Sequence, residues 1–148
     1  MSDIPEKALP PIPPPEPDAD SLPYWTALRE RRVVVQRCRG CGHAQLYFRA
    51  ICTACWSRDL EAAPAAGSGT VYSFTIVHSV GEPALAAELP YALALVELDE
   101  GPRVMTRIEG DPETVGIGDR VEATFRDIGE QTLLYFRQDG AEAIAWTP

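Results

Sequence analysis

Outside residues 36–58 the chain has no cysteine, and it has only two histidines, His43 and His78. Any cysteine nucleophile must come from that one stretch, and a serine nucleophile has at most two imidazoles to draw on. No segment approaches the roughly 18 consecutive apolar residues of a membrane-spanning helix. The opening MSDIPEKALPPIPPPEPDAD lacks a basic segment followed by an apolar one, so no secretory signal is expected. The expectation is a cytoplasmic protein with no membrane association. In that reducing compartment four cysteines serve as metal ligands more readily than as two disulfides. No internal repeat is visible.

The chain has 148 residues and 45% of them are apolar, which fits a globular protein of one ordinary domain or two very small ones. Net charge is −9 and unevenly spread. Residues 1–23 carry −4, residues 24–66 carry +4 from seven arginines against three acids, and residues 67–148 carry −9. The last, strongly acidic segment repels a nucleic-acid backbone.

Residues 1–20 form a proline-rich acidic tail, suited to a solvated extension or to an arm lying along a partner. Residues 21–35 read as a helix with a lead-in strand. Ser21 is placed to cap a helix from about Leu22 to Arg32, with Tyr24, Trp25 and Leu28 on one face. Val33, Val34 and Val35 follow as a strand. Residues 67–148 change texture. Strands are expected over Thr70–Ser79, Tyr91–Leu98, Arg103–Ile108, Arg120–Ile128 and Thr132–Arg137, with a helical turn at most over Pro83–Leu89. In the first of them Val71, Ser73, Thr75 and Val77 alternate with Tyr72, Phe74, Ile76 and His78. Five strands with glycine turns and no intervening helix suggest a mainly β protein ending in a small closed barrel of the oligonucleotide/oligosaccharide-binding (OB) type.

Between these parts, residues 36–66 hold QRCRGCGHAQLYFRAICTACWSR and all four cysteines, Cys38, Cys41, Cys52 and Cys55. The spacing C-x2-C-x10-C-x2-C gives two knuckles that can converge on one tetrahedral ion. Gly42 is expected where amides point at sulfur. Four thiolates close the shell and leave no position for an activated water, so a zinc here is structural. A region this small needs the metal to fold. Iron, as in a rubredoxin, is the rival occupant, and two disulfides remain the metal-free alternative. His43 is expected on the hairpin surface, His78 in the barrel wall, and Trp56 packed between ribbon and barrel.

This order of parts resembles the acyl-CoA-associated zinc-ribbon/OB-fold family, whose members are small partners of thiolase-like enzymes. The resemblance rests on the four cysteines, Gly67–His78 (GSGTVYSFTIVH), Leu89–Gly110, Ile117–Phe125 (IGDRVEATF) and LLYFRQ near the end, and covers about residues 22–140. Many members are similar to Pro-Pro-Arg before the second knuckle. This chain has Tyr47-Phe48-Arg49 there, and only Arg49 matches. The resemblance implies a rubredoxin-like zinc ribbon followed by a five-stranded OB-fold barrel, acting as a non-catalytic subunit in a hetero-oligomer with a thiolase or thiolase-like aldolase. The complex would act on an acyl-CoA thioester, with structural zinc on Cys38, Cys41, Cys52 and Cys55. Tyr47, Phe48 and Arg49 are the expected contacts to partner or CoA.

Three other readings fit parts of the sequence. A single-stranded nucleic-acid module would use Arg37, Arg39, Tyr47, Phe48 and Arg49, against the −9 of the barrel segment. An electron carrier would require iron. A small CoA carrier or thioesterase-like protein would use arginines such as Arg103, Arg107 and Arg126 on phosphates.

Overall fold

The computed structural model describes residues 11–140. Residues 1–10 of the proline-rich tail lie outside them, and residues 11–17 have no regular structure. Helix α1 spans Leu22–Arg29, shorter than expected. Ser21 occupies the N-cap position but makes no side-chain cap. Capping falls one turn earlier, where Asp18 Oδ1 accepts from the Ser21 amide at 2.8 Å and Ser21 Oγ accepts from the Asp18 amide at 3.1 Å. The stop is also local. Arg31 takes φ 58°, its amide donates to the Leu28 carbonyl, and the Arg32 amide reaches back to Ala27. This is a Schellman ending with arginine in the left-handed position usually held by glycine. No glycine marks it in the sequence. The Arg31 guanidinium is held by Asp127 at 2.6 and 2.9 Å, which ties the helix end to the barrel.

Three short strands form the ribbon: β1 (Val34–Cys38), β2 (Ala44–Gln45) and β3 (Leu60–Pro64), in the order β2-β1-β3, all antiparallel. The lead-in strand thus begins at Val34 and runs on into the first cysteine. Strand β3 has no clear sequence signal, because Leu60–Pro64 carries too little apolar alternation to read as a strand without its partner β1.

Five strands then close a barrel: β4 (Ser68–Val77), β5 (Tyr91–Leu98), β6 (Arg103–Glu109), β7 (Arg120–Ile128) and β8 (Gln131–Gln138), in the order β4-β5-β6-β8-β7. All five expected strands are present. Closure comes from a short parallel pairing of β6 with β8 at Ile108↔Phe136 and Glu109↔Arg137. Backbones approach closely at the start of the barrel. A Cβ on Gly69 would lie 2.5 Å from the Glu97 carbonyl oxygen, so only glycine fits there. Asp99, in the turn after β5, binds Arg120 at 2.7 and 2.9 Å and accepts from Ser68 Oγ at 2.6 Å, and these bonds hold its carboxyl down to about 2.

The expected alternation along β4 does not survive. Val71 pairs with Val96 and Ser73 with Leu95, leaving Tyr72 as an extra residue in a bulge. The bulge shifts the inward phase from Val71 to Phe74, so Tyr72 is exposed while Phe74 packs on the core. His78 lies just beyond β4 and is exposed rather than set in the barrel wall. The core is continuous: Leu28, Val35 and Phe48 from the helix and ribbon join Val96, Val121 and Phe136 of the barrel in one buried cluster. Burying a side chain such as Phe136 stabilises by about 1.5–3 kcal/mol.

Candidate metal centre

The two knuckles are built by backbone bonds that the sequence dictates. At the first, the Gly42 amide donates to the Cys38 carbonyl at 2.8 Å and the Cys38 amide to the His43 carbonyl at 2.9 Å. Gly42 adopts φ 77°, a conformation glycine enters without cost. Its amide therefore serves a carbonyl, not a sulfur. At the second knuckle the Trp56 amide donates to the Cys52 carbonyl at 3.0 Å, and the Ala54 amide points at Cys52 Sγ at 3.4 Å.

These turns bring all four sulfurs within 4.8 Å of one another. Cys38 and Cys55 are 3.6 Å apart, and Cys41 and Cys52 3.7 Å. A disulfide requires about 2.05 Å, and all four thiols are free. Zinc–sulfur bonds of about 2.3 Å in a tetrahedron place sulfurs about 3.8 Å apart, close to these two edges, so the four thiols suit one zinc ion. Cys38 and Cys52 are buried, and Cys41 and Cys55 face outward. Without a cation the crowded thiols hold protons unequally. Chiefly the Cys41 amide lowers Cys38 to about 7. The Ser57 amide pulls Cys55 down, but the neighbouring thiols of Cys41 and Cys38, with desolvation, outweigh it and push Cys55 up to about 12. A divalent cation displaces those protons and removes the conflict.

Two buried glutamines, unremarked in the sequence, hold the segment between the knuckles. Gln45 Nε2 donates to Gln36 Oε1 at 2.7 Å and to the Ile51 carbonyl at 3.1 Å, while its Oε1 accepts from the Thr53 amide at 2.9 Å. Gln36 clasps the Arg49 backbone, accepting from its amide at 3.0 Å and donating to its carbonyl at 2.9 Å. The side chains take the place of strand partners that residues 46–53 lack. The only sequence signal is a pair of amides inside apolar surroundings, which is too weak to single out. Gln45→Leu should cost about 1–3 kcal/mol, because it leaves the Thr53 amide and the Ile51 carbonyl without the side chain that pairs with them. Urea unfolding of the zinc-loaded protein measures it.

The three expected contact residues are placed very differently. Phe48 is buried, with its ring 6.0 Å from that of Tyr24. Its side chain is core and not surface. Tyr47 is 47% exposed, and its hydroxyl accepts from the Met105 amide on β6 at 3.1 Å, linking ribbon to barrel. Arg49 is exposed. Trp56 does not pack between ribbon and barrel. Its φ of 65° turns it outward, and it is 75% exposed. His43 lies on the surface, with Nε2 3.1 Å from Thr53 Oγ1 across the two knuckles. The three arginines do not form one group. Arg103 stacks on Tyr72 and pairs with Glu97, whereas Arg107 and Arg126 meet on Glu88.

Comparison with known proteins matches both halves. Residues 25–61 match the family description "ChsH2, rubredoxin-like zinc ribbon domain", and residues 62–126 match "ChsH2, C-terminal OB-fold domain". A solved chain of the Ltp2-ChsH2(DUF35) aldolase superposes with a TM-score of 0.76 at 36% identity, covering 84% of this chain and 98% of that one. The probable enoyl-CoA hydratase alpha subunit of Thermomonospora curvata is 38% identical over 120 residues, 80% of this chain. The benzoylsuccinyl-CoA thiolase subunit BbsA of Geobacter metallireducens is 40% identical over 93 residues, 62% of this chain. This chain spans 37% of the length of the hydratase subunit and 60% of that of the thiolase subunit.

Proposed function

The chain belongs to the ChsH2 zinc-ribbon and OB-fold family, and from that premise we propose that it is a non-catalytic subunit docking on a thiolase or thiolase-like aldolase that acts on acyl-CoA thioesters. One observation carries this reading: every thiol in the sequence converges on a single ion site. Four sulfur ligands close the shell of a zinc, which then has no open position for water or substrate. No cysteine is left to attack a thioester. The zinc is structural and holds the ribbon rigid. The names of two relatives, a thiolase subunit and an aldolase, point to carbon–carbon bond chemistry in the partner.

The docking surface is built from large side chains that the fold leaves outside: Trp56, Tyr47, Met105 and Tyr72. Exposed aromatics and methionine are the residue types enriched at protein interfaces. In this reading Tyr47 and Arg49 contact the partner or its CoA substrate directly, and Phe48 contributes by fixing their backbone. The nucleic-acid reading is disfavoured by the −9 carried by residues 67–148.

Co-expression with a thiolase-like enzyme of the same organism tests the proposal. The expected result is a stable complex on size exclusion, with thioester turnover higher than that of the enzyme alone. A chain that stays apart from the enzyme and leaves its turnover unchanged would contradict it.

A further inference from the structure

On the barrel, away from the cysteines, three adjacent strands present Arg107 (β6), Tyr135 (β8) and Arg126 (β7). Both guanidiniums lie over the Tyr135 ring, at 5.8 and 5.7 Å from its centroid, and Arg107 also stacks on Tyr91 at 3.5 Å. Glu88 bridges them: Oε2 binds Arg107 Nη1, and Oε1 binds Arg126 Nη2 at 2.6 Å. The side chains of Arg107, Arg126 and Glu88 are only 13%, 14% and 19% exposed. They line a cavity of about 240 Å³, with Glu109 as a further carboxylate on its wall.

The carboxylate and the guanidiniums have different origins in the fold. The arginines stand on barrel strands. Glu88 ends a single 3-10 segment, Pro83–Glu88, in the connection between β4 and β5. In an OB barrel that connection, with the face of the second and third strands, forms the usual ligand surface. Here β5 and β6 are those strands. A carboxylate on a connecting loop, set between two fixed guanidiniums, has the charge and shape of a bound oxyanion. The larger groove beside Val33 and Phe125 differs: Arg31, Arg32 and Arg120 each pair there with a separate carboxylate, Asp127, Glu30 and Asp99.

We propose that Arg107 and Arg126 form an oxyanion site for a phosphate-bearing ligand, and that Glu88 is an internal stand-in which the ligand displaces. Paired guanidiniums match phosphate oxygens bidentately. The cavity admits a phosphate or diphosphate group and leaves the remainder of a larger ligand outside. The site does not depend on the docking role, so it is tested on the isolated zinc-loaded chain, and failure of either reading leaves the other standing.

The probe is inorganic pyrophosphate, followed by titration calorimetry at fixed ionic strength. Wild-type protein should bind weakly. Glu88→Gln removes the competing charge and should tighten binding at least about tenfold, while Arg107→Gln in that background should abolish it. Glu97→Gln, at the exposed Arg103 pair, should change nothing. Comparing pyrophosphate with CoA separates the sources of the group: tighter binding of CoA assigns it to a nucleotide-type thioester carrier, and equal binding assigns it to free phosphates. If Glu88→Gln remains folded by circular dichroism and binds no more tightly than wild type, Glu88 is only a structural ion-pair partner and the proposal falls. The same holds if Glu97→Gln tightens binding equally.

Discussion

Replacing Cys52 with serine should reduce bound zinc from one ion per chain to almost none and unfold the ribbon. Cys52 is fully buried, and its sulfur is 3.7 Å from that of Cys41. The three ribbon strands have five residues at most, and only Cys38 lies in one of them; the other three cysteines stand on the connections. Structural zinc in such small units contributes about 10–16 kcal/mol of apparent free energy, which is folding free energy because the ligand set does not exist in the unfolded chain. Total domain stability is about 5–15 kcal/mol, so nothing else in the ribbon can offset the loss. Hydrogen exchange should show residues 34–64 losing protection in Cys52→Ser, or in wild type after chelation. The amides pairing β4 with β5 and β7 with β8 should keep most of theirs. Since Val34, Val35 and Phe48 share a core with the barrel, its melting temperature should fall as well. Unchanged protection over residues 34–64 after complete zinc removal would show that the sulfurs do not hold the fold.

Phe48→Ala and Tyr47→Ala should have opposite consequences, although the residues are adjacent. Phe48 is 8% exposed and packs on Tyr24, so its truncation opens a cavity in the shared core and should cost about 3–5 kcal/mol. Tyr47 loses one hydrogen bond to the Met105 amide, worth about 1 kcal/mol. Its half-exposed ring makes it the better candidate for a docking anchor, and interface tyrosines of that kind cost about 2 kcal/mol or more of binding when truncated. Tyr47→Ala should therefore weaken association with the thiolase-like partner roughly thirtyfold while the zinc-loaded chain melts near the wild-type temperature. Denaturant unfolding and calorimetric titration with the partner separate the two effects. Equal partner affinity in Tyr47→Ala would remove this residue from the interface.

Much of the fold was legible because it rests on local rules. The cysteine spacing demanded two knuckles and one ion. Apolar alternation and glycine turns marked all five barrel strands, and the structure closes them. What escaped the sequence depends on partners distant along the chain. The β3 strand exists because β1 is there to pair with it. The bulge at Tyr72 is a property of the β4–β5 register, and it reverses the faces that strict alternation implies. The helix end at Arg31 lacks the glycine that usually announces it. The Tyr47-Phe48 pair reads as a two-residue aromatic surface, and only the position of Tyr24 reveals that one of the rings belongs inside. Trp56 shows the converse: apolar character suggests packing, but its left-handed backbone sends the ring outward.

X-ray absorption at the zinc edge, on the zinc-loaded chain with and without a CoA thioester, tests the central claim most directly. A shell of four sulfurs at about 2.3 Å, unaltered by the thioester, is the predicted result. A nitrogen or oxygen neighbour replacing one sulfur, or a shell that changes when the thioester is added, would mean that the metal takes part in the chemistry.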